Sequence, residues 1–180
     1  VEYVSTIKDV QKIQLMKEVI KKKSTRDYLL FVMGINTGLR IGQLLQLKVE
    51  DVVDNQGNFR LFMEIDNQSV YLNEQIRRAF KHHFQTEIGL QHSYLFQSSR
   101  GENPITRQQA YRIINEAAKK VGIKEKAGTH TLRKTFGYHA YVKGIAVSFI
   151  QQRFHQAAPS ETLKYIGVEK TERHKIDVNL

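Results

Sequence analysis

The chain has 180 residues and 41% hydrophobic content, which suits one domain with a sizeable core. It holds no cysteine, excluding disulfide frameworks and thiolate metal sites, and no apolar run long enough to cross a membrane. Its 28 Lys and Arg against 18 Asp and Glu leave a net charge of +10, an excess that points to a polyanionic partner, nucleic acid ahead of a membrane surface.

Glu2, Lys8, Asp9 and Lys12 interrupt the apolar residues at the start, so no signal-peptide pattern opens the chain. Together with the missing thiols this reads as a cytoplasmic protein. The first residue is Val1 rather than Met, which reads as a fragment whose N-terminal part has been removed.

Ile7, Val10, Ile13, Met16, Val19 and Ile20 recur at helical spacing between lysines, predicting a helix over residues 6–22 with Thr6 as N-cap. Ser24 or Thr25 opens a second helix, apolar on most sides and so expected to be buried, which Asn36-Thr37-Gly38 ends. Residues 39–47 then read as a helix with Arg40 among Leu39, Ile41 and Leu44. An arginine buried there needs an anion: either a carboxylate such as Glu50 or Asp51, or a phosphate, which the planar guanidinium fork grips with two hydrogen bonds.

Residues 49–73 change character. A turn at 54–58 precedes alternating runs at 59–65 and 69–72, separated by Asp66-Asn67-Gln68, which predicts a small antiparallel sheet. Asn73 can cap the next helix, through Ile76, Ala79, Phe80 and Phe84, and Tyr94-Leu95-Phe96 reads as a short extended segment. Pro104 is placed in the first turn of a helix spanning 106–121, with Ala110, Ile113, Ile114, Ala117, Ala118 and Val121 on its core face. Arg107, Gln108 and Arg112 lie elsewhere on that helix. They are candidate DNA contacts, because arginine and glutamine read base edges and phosphates, although an ordinary solvated face accounts for them equally well. The predicted fold is one mainly α domain with a small antiparallel β-sheet (α+β), over residues 1–180 with a C-terminal tail from 168.

The stretch from 129 to 167 carries the sharpest chemistry. Thr129 is placed as the cap of a helix that sets His130 and Arg133 on one face near its positive end, a ready anion site. His155 follows in R-F-H-Q. Tyr165 sits on a short helix opened by Ser160. A lone histidine or tyrosine in such places is usually structural. With two arginines nearby, however, a tyrosine can attack a phosphodiester, because the cations favour phenolate and steady the charge that builds on phosphoryl oxygens. Lys134, next to Arg133, joins the candidate DNA contacts.

T-G-L-R at 37–40, H-T-L-R at 130–133, the histidine of R-F-H-Q at 155 and L-K-Y-I-G at 163–167 together resemble the catalytic domain of the tyrosine recombinases, or phage-type integrases. P-I-T-R-Q-Q-A-Y-R-I and R-K-T-F-G-Y-H are also similar to that family, and the likeness spans nearly the whole chain. The resemblance implies that Arg40 and Arg133 clamp the scissile phosphate, that His130 assists proton transfer and that His155 hydrogen-bonds a phosphate oxygen. Tyr165 would form a 3′-phosphotyrosyl link, with no cofactor and no metal. It further implies double-stranded DNA as partner, a homo-tetramer on paired sites, accessory DNA-bending proteins, and a bacterial cytoplasm with association to the nucleoid when bound. In the family an N-terminal DNA-clamping domain precedes this one, and the tail packs on a neighbouring protomer or folds back in cis.

The chain departs from the pattern twice. Where the family usually has an acidic residue three after the first arginine, Gln43 stands; and no lysine occurs between Lys48 and Lys81, where the family places its general acid in the β-hairpin. Arg60 is the only basic residue of the expected sheet, and a guanidinium is a poor proton donor. Losing general acid catalysis typically costs about 10²–10⁴-fold in rate. The competing reading is therefore a weakly catalytic or inactive DNA-binding protein on the same fold. An RNA-binding domain ranks below both, since no stacking platform is evident.

Overall fold

A computed structural model describes residues 5–85 and 93–168. The expected tail, apart from Val168, lies outside the described residues. The order of elements is α1 (Val10–Lys23), α2 (Thr25–Thr37), α3 (Ile41–Leu45), α4 (Val49–Val52), β1 (Phe62–Ile65), β2 (Gln68–Tyr71), α5 (Glu74–Phe84), α6 (Arg107–Lys120), α7 (Thr129–Val142), α8 (Val147–Phe154) and α9 (Pro159–Ile166). The mainly helical reading with one small antiparallel sheet stands.

Helix α2 is the centre. The Ser24 side chain accepts from the Asp27 N–H at its start, and Gly38 ends it in the left-handed region at φ 70°. Leu29 through Met33 are all buried, as expected of a helix apolar on most sides. One cluster packs it with α5, the hairpin and the Leu95-Phe96 segment; a second packs it with α1, α6 and Leu132 of α7. A third, smaller cluster joins Phe136 of α7 to Ile150, Phe154 and Ile166 of α8 and α9.

Several boundaries differ from expectation for local reasons. Helix α1 starts at Val10 because the Asp9 carboxylate caps it, accepting from the Gln11 and Lys12 N–H groups. Thr6 is not its cap: the Thr6 hydroxyl bonds the Ile166 carbonyl (3.3 Å), and the Ile7 N–H donates to Thr135 Oγ1 (3.1 Å), tying this segment to α7 and α9. The run 39–47 shortens to one turn and a half, α3. Pro104 is outside the helix, paired with Gln97, and Thr106 caps α6 instead. At α7 the N-cap is Gly128, whose N–H donates to Thr131 Oγ1 (2.9 Å), so Thr129 is already helical. At α9 the cap is Ala158, since Pro159 occupies the first helical position, where a missing N–H costs nothing.

The hairpin pairs Phe62 with Tyr71 and Ile65 with Gln68, the first run being shorter than the predicted 59–65. Asp66 and Asn67 both take positive φ, 48° and 59°, the geometry of a two-residue type I′ turn. Met63 and Val70 are buried opposite one another and anchor the sheet on the α2–α5 core.

One close approach sets the distance between the two halves of the site-bearing region. A Cβ on Gly137 would lie 2.5 Å from Ile166 Cγ2 and 2.8 Å from the Phe154 ring, so α7 meets α8 and α9 through a position with no side chain. Gly137→Val is expected to destabilise the fold by about 1–3 kcal/mol through overpacking, read as a lower denaturant midpoint at unchanged slope. An unchanged midpoint would show that the contact is looser than described.

Candidate active site

Helices α3, α7, α8 and α9 converge on a cavity of about 590 Å³ lined by Arg40, His130, Arg133, His155 and Tyr165. All five residues singled out in the sequence face one space, although they come from positions 125 residues apart (165 minus 40). Arg107 also lines it; Gln108 and Arg112 are exposed on the same helix.

Arg133 is the deepest of them, with 6% of its surface exposed. Its Nη2 donates to the Phe154 carbonyl at 2.7 Å, and its guanidinium lies 4.5 Å from the centre of the Phe154 ring. Its charge also acts on the Tyr165 hydroxyl, favouring the phenolate. Burial lowers its pKa, an effect that Tyr165 opposes, yet a guanidinium remains charged at neutral pH. Among the described residues no carboxylate forms an ion pair with Arg133 or Arg40. Neutral acceptors orient the Arg133 charge without cancelling it, so the cavity is electropositive at its floor.

Arg40 corrects an expectation. It is exposed, not buried, because it is the N-cap of α3 with extended backbone (φ −68°, ψ 147°) while Leu39 and Leu44 turn into the core. The carboxylates proposed as its alternative partners are engaged with Lys48: Glu50 at 3.9 Å from its Nζ, and Asp51 accepting its N–H at 2.7 Å. Gln43, at the position the family gives to an acid, accepts the Arg40 N–H (2.9 Å) and donates to the Asp66 carboxylate (2.6 Å). A carboxylate is thus linked to this corner from the hairpin turn, one hydrogen bond further away.

His130 is exposed in the first turn of α7. Partial burial of its ring, then Lys134, Arg133 and Arg40, push its pKa below the ordinary 6.5. The imidazole is therefore neutral at pH 7 and can accept a proton. Tyr165, half-buried, packs edge-on against Phe154 (5.3 Å between ring centres) under Lys134, whose Nζ is 5.2 Å from the Tyr165 ring centre. Burial raises the Tyr165 pKa, with Arg133 and Arg40 pulling the other way. A phenol in that state keeps its proton at neutral pH and needs an acceptor before it can attack. Burial also lowers the pKa of Lys134, which the sequence offered only as a DNA contact.

His155 caps α8 with left-handed backbone, φ 53°. Its Nε2 is 3.1 Å from the side-chain nitrogen of Gln68 in β2. Sequence reasoning missed Gln68, as it missed Arg153, which fastens the hairpin and the end of α2 by donating to the Ser69 and Thr37 carbonyls (3.3 and 2.7 Å). Arg153 opens the R-F-H-Q motif, where only the histidine was singled out, and Gln68 belongs to no motif. The available signal for Gln68 was its period-2 placement with Val70, a polar side chain on the face that the alternation turns inward.

A sequence model of the phage integrase family matches residues 6–172, and the chain belongs to that family. It is 38% identical over 168 residues to the probable integrase/recombinase YoeC of Bacillus subtilis (strain 168), covering 93% of this chain and 91% of YoeC. It is 28% identical to the tyrosine recombinase XerA of Pyrococcus furiosus, where the match covers 88% of this chain but 56% of the relative. The crystal structure of XerA recombinase superposes with a TM-score of 0.76 at 25% identity, over 94% of this chain and 61% of that one. Lambda integrase (75–356), solved as a dimer on a COC′ core site, shares the fold with a TM-score of 0.68 at 17% identity, over 99% of this chain and 65% of that one.

The lowered His130 pKa can be read directly. An NMR titration of its ring should give a midpoint below 6.5, and Lys134→Ala should move that midpoint upward by removing a neighbouring cation. A midpoint above 6.5 in the unaltered protein would contradict the electrostatics described.

Proposed function

We propose that the chain is the catalytic domain of a site-specific DNA recombinase that cleaves and rejoins strands through Tyr165. The observation that carries this reading is that Tyr165 shares one cavity with Arg40, His130, Arg133 and His155. Family membership and the XerH structures, solved with difH DNA, support duplex DNA as the substrate.

In the proposed reaction the two arginines hold the non-bridging oxygens of the scissile phosphate, and His155 donates to one of them. Tyr165 Oη attacks phosphorus while neutral His130 takes the phenolic proton. The bond from phosphorus to the 5′-oxygen breaks and that oxygen takes a proton from solvent, leaving a 3′-phosphotyrosyl link and a free 5′-hydroxyl, while His130 returns the phenolic proton to solvent. A 5′-hydroxyl from the partner duplex then attacks that link and returns the proton to Tyr165. Each step exchanges one phosphoester for another, so no high-energy cofactor is called for. The electropositive floor stabilises the charge of the transition state, the largest single contribution in most sites of this kind. Pairwise strand exchange would use four protomers on two duplexes, with accessory bending proteins possible at the paired sites.

A nicked or suicide DNA substrate should trap a covalent adduct, and Tyr165→Phe should abolish it. An adduct that persists in the Phe variant would overturn the assignment. Salt-sensitive DNA binding without any adduct would instead favour the DNA-binding reading.

The hairpin carries no lysine to protonate the leaving oxygen. If that proton is supplied poorly, replacing the bridging 5′-oxygen by sulfur, which leaves without protonation, should accelerate cleavage by about 10²–10⁴-fold. Equal rates for the two substrates would show that some other group performs this protonation well.

A further inference from the structure

We propose that Gln68 is a positioning residue that holds His155 in the Nδ1–H tautomer, an inference resting on the recombinase reading only for its consequence in catalysis. The side-chain nitrogen of Gln68 lies 3.0 Å from the Gln152 carbonyl oxygen and 3.1 Å from His155 Nε2. A carbonyl can only accept, so the Gln68 atom facing it is the NH₂ nitrogen rather than the amide oxygen. The same nitrogen faces His155 Nε2. Its second hydrogen points there, and Nε2 must be the acceptor. A ring that accepts at Nε2 is neutral and carries its proton on Nδ1, which becomes its only donor. His155 lines the cavity that holds Arg133 and Tyr165, so the Nδ1–H is the donor available to a phosphate oxygen.

The placement is built rather than incidental. The Gln152 carbonyl also accepts the His155 N–H at 3.1 Å, so one oxygen fixes both the backbone of His155 and the amide that orients its ring. His155 adopts left-handed backbone there, unusual for a residue with a side chain. Gln68 is held in turn by pairing with Ile65, by the Arg153 bond to the Ser69 carbonyl and by the Gln43–Asp66 bond at the turn. The hairpin thus touches the site through an amide. It contributes orientation of a histidine.

The tautomer is measurable without DNA, from the ¹⁵N shifts of the His155 ring in uniformly labelled protein at neutral pH. The expected result is Nδ1–H in the unaltered protein. In Gln68→Ala the ring should lose that preference, and in Gln68→Glu, whose carboxylate can only accept, it should switch to Nε2–H. Unchanged amide spectra of α2 and α5 would show that the fold is retained in both variants. An Nε2–H ring in the unaltered protein, or an Nδ1–H ring that survives both substitutions, would overturn the proposal. Where adduct formation is measurable, Gln68→Ala should slow it roughly 10–100-fold, the range found when an outer partner of a functional histidine is removed, at unchanged DNA affinity. A tautomer that behaves as expected in a protein that forms no adduct would leave the role of Gln68 standing and remove the recombinase reading instead.

Discussion

The site depends on one buried cation. Arg133 is brought under the protein surface by α7 and oriented by the Phe154 carbonyl and the Phe154 ring, neither of which carries an opposing charge. Removing a charge from water without neutralising it is expensive, and the cost is met here by the packing of α7, α8 and α9. The return is a guanidinium with little freedom left to lose when an anion arrives. Burial, Lys134 and then this charge depress the His130 pKa, and the same charge works against the rise that burial gives Tyr165. Base, nucleophile and clamp thus share one electrostatic environment.

Around that cation two amides tie the hairpin to the site. Gln43 relays between the Arg40 backbone and the Asp66 carboxylate, and Gln68 bridges the hairpin to α8 and His155. An amide donates and accepts at once, so each glutamine orients two neighbours without adding to the local field. The result is a hairpin fastened at its turn and along β2, next to a site whose positive charge comes from Arg40, Arg133, Lys134 and Arg107.

Much of this was legible in the sequence. The buried central helix followed from a sequence apolar on most sides between Ser24 and Gly38, and the small sheet from two alternating runs about Asp66-Asn67-Gln68. The five site residues were found by their order and spacing, which survive because helices α3, α7 and α9 each present a short motif at one end. What failed was inference from sequence neighbours. Arg40 has apolar residues on both sides, but at a helix N-cap the extended backbone sends it outward while Leu39 and Leu44 go in. The caps at Thr129 and Ser160 were misplaced because Thr131 bonds back to Gly128 and Pro159 takes the first helical position. Gln68 had no motif, and Arg153 stood in R-F-H-Q without a role of its own. Their roles come from α8 packing beside the hairpin, a contact between residues more than eighty positions apart.

The central claim is that one anion is shared by all five residues, and a crystal structure of the protein with orthovanadate and a DNA half-site tests it most directly. The expected result is vanadate bound by Arg40, Arg133, His130 and His155, with Tyr165 Oη and the 5′-oxygen at its two apices. Vanadate bound elsewhere, or bound with Tyr165 turned away from it, would contradict the account.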